Sequence, residues 1–195
     1  MLLIGFMLVI AGCGSNGPVP EDVFYHLPIA APSAQAPLAS GAIRVRVMAG
    51  NSVYRDRAVL FSEGADYEIR RHRYHYWVDS PDALIQGALV DYLRASGAAA
   101  SVLAADGAGA DYELVGRVTG FERRVNGNSA IAHVVIEFSL ARAGAAAPVL
   151  RKEYEEDAPA NSGQVADSVA AFGAATGAVF RRFLEDAGSA VALNP

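Results

Sequence analysis

DYELVGRVTGFERRVNGNSAIAHVVIEFSLAR, residues 111–142, decides the fold of this chain. On both sides of Asn126-Gly127 apolar and polar residues alternate, the period of strands with one buried face. Asn-Gly tolerates positive φ and is a strong signal for a hairpin loop. Asp111 to Val125 and Ser129 to Arg142 are therefore expected to form one long antiparallel pair. With Asn126 and Gly127 at the tip, Phe121 would face Ala132 and Val115 would face Phe138.

The sequence upstream supplies more strands. Ile43, Val45 and Val47 alternate with Arg44 and Arg46, a second strand is expected over Ala58 to Phe61, and a third over Tyr67 to Trp77, with Gly64 at the turn between them. Asp79-Ser80-Pro81-Asp82 reads as a helix start: a capping side chain, a proline in the first turn and an acid facing the positive end of the dipole. Leu84, Ala88, Leu89 and Tyr92 follow at helical spacing and Gly97 is a stop, which predicts a helix over 81–95. A short strand near Ser101 to Leu103 and another over Val149 to Glu156 are expected. From Asn161 or Ser162 onward, Val165, Val169, Phe172, Thr176, Val179 and Phe183 share one stripe of a long closing helix. The expected fold class is α+β, a two-layer sandwich with a mainly antiparallel sheet and two helices packed on one face. The folded domain spans 42–187 in this reading, with a tail over 188–195.

The N-terminal region reads differently. Residues 1–12, MLLIGFMLVIAG, are too short to cross a ~30 Å hydrocarbon core but suit the apolar core of a signal peptide. The chain has one cysteine, Cys13, which directly follows this run. A lone Cys forms no internal disulfide, and an odd thiol in an exported protein needs another use. Leu-Val-Ile-Ala-Gly-Cys resembles the bacterial lipobox, whose cysteine carries a diacylglyceryl group after cleavage. No Lys or Arg precedes Cys13, a departure from the usual signal that points to a start further upstream. Residues 13–41 are expected to be a lipidated Cys and flexible tether, with PIAAPSAQAPLAS over Pro28 to Ser40 extended and exposed. Gly14, rather than Asp, follows the cysteine, which in lipoproteins resembling this one favours the outer membrane. From Gly14 to Asp22 the chain reaches roughly 30 Å at most, so the domain works near the bilayer.

Composition narrows the partners. Outside the first segment no run approaches eighteen uninterrupted apolar residues, although 52% of the chain is hydrophobic. A formal net charge of −5 argues against nucleic acid as a partner and leaves protein or lipid.

Arg70, Arg71, Arg73 and Tyr76, within RRHRYHYW, are the candidate docking residues. Arginine forks and aromatic edges suit anionic head groups or an acidic protein surface, and an ordinary solvated strand face is the alternative. His72 and His75, three apart in a strand, would point to opposite faces, so no metal site is expected. His26 and His133 stand alone, and Glu153, Glu155, Glu156 and Asp157 read as a solvated strand end. No Gly-x-Ser-x-Gly elbow, phosphate loop or His-Glu-x-x-His occurs, so the sequence predicts neither enzyme nor cofactor. Gly173 and Gly177 form a small pair expected to let the last helix pack closely on the sheet or the other helix.

Several stretches also resemble one family in order and spacing. They are the lipobox Cys13, Phe24-Tyr25-His26-Leu27, Val53-Tyr54-Arg55-Asp56-Arg57, His75-Tyr76-Trp77 before Asp79-Ser80-Pro81, Ala110-Asp111-Tyr112-Glu113-Leu114, Gly120-Phe121-Glu122 and the Ala-rich closing helix. In these the chain is similar to the ABC-type transport auxiliary lipoproteins, the PqiC-like group. The resemblance implies an outer-membrane-tethered periplasmic subunit that acts with an MCE-domain protein in lipid transport between membranes. It also implies a small sheet with helices packed on it, and a mainly structural role for Trp77. A homo-oligomer is compatible with this reading. A structural lipoprotein assisting assembly of an outer-membrane complex is the other function considered.

Overall fold

A computed structural model describes residues 20–34, 37–46, 48–64, 68–104 and 109–193. The signal segment, Cys13, Val47 and Tyr67 lie outside them. The strands are β1 (Val23–Tyr25), β2 (Ala39–Val45), β3 (Ala49–Gly50), β4 (Ala58–Glu63), β5 (Arg70–Trp77), β6 (Ala99–Ala104), β7 (Tyr112–Asn126), β8 (Ser129–Arg142) and β9 (Leu150–Pro159). The helices are α1 (Pro81–Ser96) and α2 (Val165–Leu193), and a 3₁₀ turn covers Ser52–Arg55.

β7 is the spine of a single sheet. β8 runs antiparallel along one edge of it, with β9 antiparallel beyond. Along its other edge lie three short parallel partners in succession: β2 beside Tyr112 to Leu114, β3 beside Arg117 and Val118, and β4 beside Arg123 to Val125. β6 extends the sheet past β2, while β5 and then β1 extend it past β4. The α+β class holds, and the long ladders are antiparallel as expected. The short parallel pairings alongside them arise because β7 is long enough to serve several strands in turn.

The hairpin closes one residue later than the sequence suggests. Asn126 pairs with Ser129, so Gly127 and Asn128 form the loop, and Gly127 takes the positive φ of 58° at its first position. Phe121 consequently faces Val134 and not Ala132. A bulge between Val118 and Gly120 then shifts the register once more, so Val115 faces Ser139 and not Phe138.

α1 starts at Pro81 with Ser80 at its cap, but the Ser80 hydroxyl turns to the Asp82 carboxylate and caps no backbone N–H. Gly97 ends it with φ 70°, its N–H reaching the Arg94 carbonyl at 3.2 Å. α2 begins at Val165, after a bend in which the Ser162 hydroxyl accepts from Gln164 N–H at 3.1 Å. It runs to Leu193, past the expected end of the domain at 187. The apolar stripe of α2 enters the core: Phe183 lies 4.6 Å from Phe138 between ring centroids, and Phe180 lies 5.3 Å from Tyr92 of α1. One core therefore joins both helices to the sheet.

Described residues of the segment expected to be a tether take part in the fold. β1 pairs in parallel with β5, and Leu27 and Ile29 pack on the core. Leu38 and Ala39 are buried. The strap from Pro28 to Ile29 crosses α2 at its two glycines. A Cβ on Gly173 would lie 1.8 Å from the Pro28 carbonyl oxygen, and one on Gly177 would lie 3.5 Å from the Ile29 side chain. The small pair thus receives the N-terminal strap, not the sheet or α1.

Candidate functional site

The RRHRYHYW strand does not alternate throughout. Ala58 of β4 pairs with Tyr76, yet Leu60 pairs with Arg71, so β5 carries extra residues opposite Val59. Tyr74 absorbs this bulge with φ 62°, a conformation costly for an aromatic residue and tolerated only where surrounding structure holds it. The bulge resets the alternation. His72 and His75 therefore come together, their rings 5.7 Å apart edge to face, instead of pointing to opposite faces.

Beneath the bulge lies Arg123, whose burial the sequence reading did not anticipate. It is 1% exposed. Its Nε donates to the Ser168 hydroxyl at 2.7 Å, one terminal nitrogen to the Gly163 carbonyl at 2.6 Å and the other to Nε2 of His72 at 2.7 Å. None of these partners is a carboxylate, so a guanidinium is held in the interior by neutral acceptors. Burial lowers its pKa. Burial, then the Arg123 charge and then His75, lower the His72 pKa to about 4, which keeps the imidazole neutral and able to accept. His75 shifts the same way, chiefly through burial, and its Nδ1 is hydrogen-bonded to the Tyr25 hydroxyl at 2.9 Å. The network ties β1, β5, β7 and the start of α2 together. Period-two reasoning holds the signal for it: if Phe121 faces the core, so does Arg123 two residues on.

A second unexpected polar group fills a gap. β3 pairs with β7 as far as Val118 and β4 begins only at Arg123, so Phe121 N–H has no strand partner on that edge. The Glu122 carboxylate accepts from Phe121 N–H at 3.0 Å and from the Tyr54 hydroxyl at 2.9 Å. Burial, then the Glu122 carboxylate, push the Tyr54 pKa up.

The candidate docking residues divide. Arg70 reaches Glu63 at 3.3 Å and Glu68 at 3.0 Å, and Arg71 pairs with Asp56 at 3.1 Å. Arg73 is exposed and has no carboxylate partner among the described residues. Tyr76 stacks on Phe24 of β1 at 5.7 Å, and the Arg57 guanidinium lies 5.3 Å from the Phe24 ring centroid. Tyr25 and Trp77 form the next pair in register. Trp77 is 1% exposed against Phe121 and Phe172, so Phe24 and Tyr76 occupy the outer face of the sheet.

The remaining histidines and the acidic strand end differ in setting. His26 is exposed, whereas His133 is buried with its Nδ1 donating to Asp157 at 2.7 Å. Glu156 pairs with Arg182 of α2. The acidic strand end is thus partly neutralised, not simply solvated. Among the described residues no three His, Cys, Asp or Glu side chains converge as a metal site would require. No helix among them is long and apolar enough to cross a membrane.

A mixed sheet whose two helices share one core with it, closed by an N-terminal strap, defines an α+β domain. The family model for the ABC-type transport auxiliary lipoprotein component matches residues 25–182, and the chain belongs to that family. Among solved structures, the chain is similar to protein XCC0632 from Xanthomonas campestris, with a TM-score of 0.80 at 17% identity, covering 88% of this chain and 98% of that one. It is also similar to an uncharacterised protein, with a TM-score of 0.65 at 15% identity over 85% of this chain and 98% of the other. The hypothetical protein CT253 from Chlamydia trachomatis follows, with a TM-score of 0.50 at 8% identity over 78% and 98%. At such identities these three likenesses concern the fold. Among curated proteins none matches the chain.

Proposed function

We infer that the chain is a non-enzymatic, outer-membrane-anchored periplasmic subunit of an MCE-type ABC transport system, a docking adaptor for lipid movement between inner and outer membranes. The observation that carries this reading is the family match over residues 25–182, which takes in β5, both faces of the β7–β8 hairpin and most of α2. The LVIAGC sequence ending at Cys13 supports the anchor. Acylation with three chains gives stable attachment where one chain would be marginal. The polar interior supports an adaptor over an enzyme, because Arg123 is engaged by His72, Ser168 and the Gly163 carbonyl, and Glu122 by the Tyr54 hydroxyl and Phe121 N–H.

Density-gradient separation of the two membranes, paired with mass spectrometry of the N-terminal peptide, tests the anchoring. The expected result is acylated Cys13 in the outer-membrane fraction. An acyl-free Cys13, or an acylated chain confined to the inner membrane, contradicts it.

A further inference from the structure

The outer face of β1 and β5 carries a patch that no element among the described residues covers. Phe24 and Tyr74 are 51% and 39% exposed. Arg55, Arg57 and Arg73 surround these side chains and have no carboxylate partner among the described residues. Asp22 and Asp56 line the same surface, and Asp56 is taken up by Arg71. A chain of net charge −5 thus gathers guanidinium groups without carboxylate partners among the described residues around exposed aromatic rings at one edge of its sheet, with Arg57 donating to the Trp77 carbonyl.

The position of this edge in the chain matters as much as its chemistry. Pro20 is the first described residue and Val23 opens β1. Only six residues lie between Cys13 and Pro20, seven steps of the chain, so the connection spans at most about 25 Å. The strap then crosses α2 at Gly173, which fixes where the chain leaves the domain. A domain tethered this closely presents its β1 edge to the bilayer more readily than any distant face.

We propose that this patch is a bilayer-contact face, on which Phe24 and Tyr76 sit at head-group level while Arg55, Arg57 and Arg73 engage the phosphates of anionic lipid. Aromatic side chains favour the membrane interface because one end is apolar and the other polar. Clustered basic side chains near an anionic surface are held by its potential, within a screening length of about 8 Å at physiological salt. The proposal rests on acylation of Cys13 as inferred above.

The test uses the full acylated chain carrying Asp22→Cys, an exposed position that lines the same surface as Phe24 and Tyr76, labelled with an environment-sensitive fluorophore. Acylated Cys13 has no free thiol, so one label is introduced. A Ser189→Cys label on the exposed side of α2 is the control. Reconstitution into phosphatidylglycerol-containing vesicles should blue-shift the position-22 label and cut its iodide quenching at least twofold relative to detergent micelles, with no change at position 189. Pure phosphatidylcholine vesicles should give a smaller shift, and Phe24→Ser with Arg73→Glu should remove it while circular dichroism stays unchanged. Equal quenching in vesicles and micelles overturns the contact face. An equal response in phosphatidylcholine overturns its anionic preference. An acylated protein with no shift leaves the anchor standing and removes only this face, whereas a mass without acyl chains removes both.

Discussion

The Arg123 guanidinium donates to Nε2 of His72 across 2.7 Å, joining the central strand of the sheet to the bulge in β5. This contact requires His72 to be neutral, because a protonated imidazole would offer a second donor and a second charge to a buried cation. The pair therefore makes the β1–β5 edge sensitive to acid.

His72 takes up its proton near pH 6.5 in the unfolded chain and only near pH 4 when folded. Between those values the unfolded chain binds more protons, so stability falls as the pH drops from about 6.5 to about 4 and levels off below. His75 adds a shift of the same sign. His72→Gln keeps an acceptor for Arg123 and removes the proton site. Thermal unfolding from pH 7 to pH 4 should show a shallower loss of Tm in this variant than in the wild type, and parallel curves would place the acid sensitivity elsewhere.

Ser168 accepts from a buried charged donor, which makes its hydroxyl worth more than a neutral hydrogen bond. Ser168→Ala should cost about 1.5–3 kcal/mol in urea unfolding. A loss below half a kcal/mol would mean that another group takes over the Arg123 Nε.

Two glycines that touch their surroundings closely should behave differently. At Gly173 the obstacle is the rigid Pro28 carbonyl, 1.8 Å from the added carbon, so Gly173→Ala must displace the strap. At Gly116 the nearest atom is the terminal methyl of Met48, 2.2 Å away, at the end of a flexible side chain. Hydrogen exchange should show faster exchange over residues 23–34 in Gly173→Ala, with a loss of about 1–3 kcal/mol, and little change in that segment for Gly116→Ala. Unchanged exchange in both variants would separate the strap from the α2 glycines.

Phe138 meets Tyr154, Phe180 and Phe183 within one aromatic cluster of the core and is fully buried. Phe138→Ala should destabilise the domain by about 3–5 kcal/mol, measured by urea unfolding.

The long elements could be read from the sequence because repetition carries them. Fourteen or more alternating residues in β7 and β8, and a stripe from Val165 to Phe183, leave little ambiguity of period. The hairpin tip was displaced because the hairpin signal does not say which residue of Asn126, Gly127 and Asn128 takes positive φ. β1 escaped notice because Val-Phe-Tyr is three residues long and draws its stability from β5, which is distant in sequence. The bulge at Tyr74 depends on pairing with β4, and it reversed the expected placing of His72 and His75. For the candidate docking residues, the strand sequence displays the arginines but not the carboxylates that meet them. Glu63, Glu68 and Asp56 engage Arg70 and Arg71 through tertiary folding and leave Arg73 free of carboxylates among the described residues.

The central claim, that this auxiliary lipoprotein docks an MCE-domain protein, is tested most directly by in-cell crosslinking of the full acylated chain, followed by mass spectrometry of the attached peptides. The account predicts recovery of an MCE-domain protein, with crosslinks from the folded domain of residues 23–193. Recovery of a β-barrel or another assembly partner, with no MCE-domain protein, would contradict it.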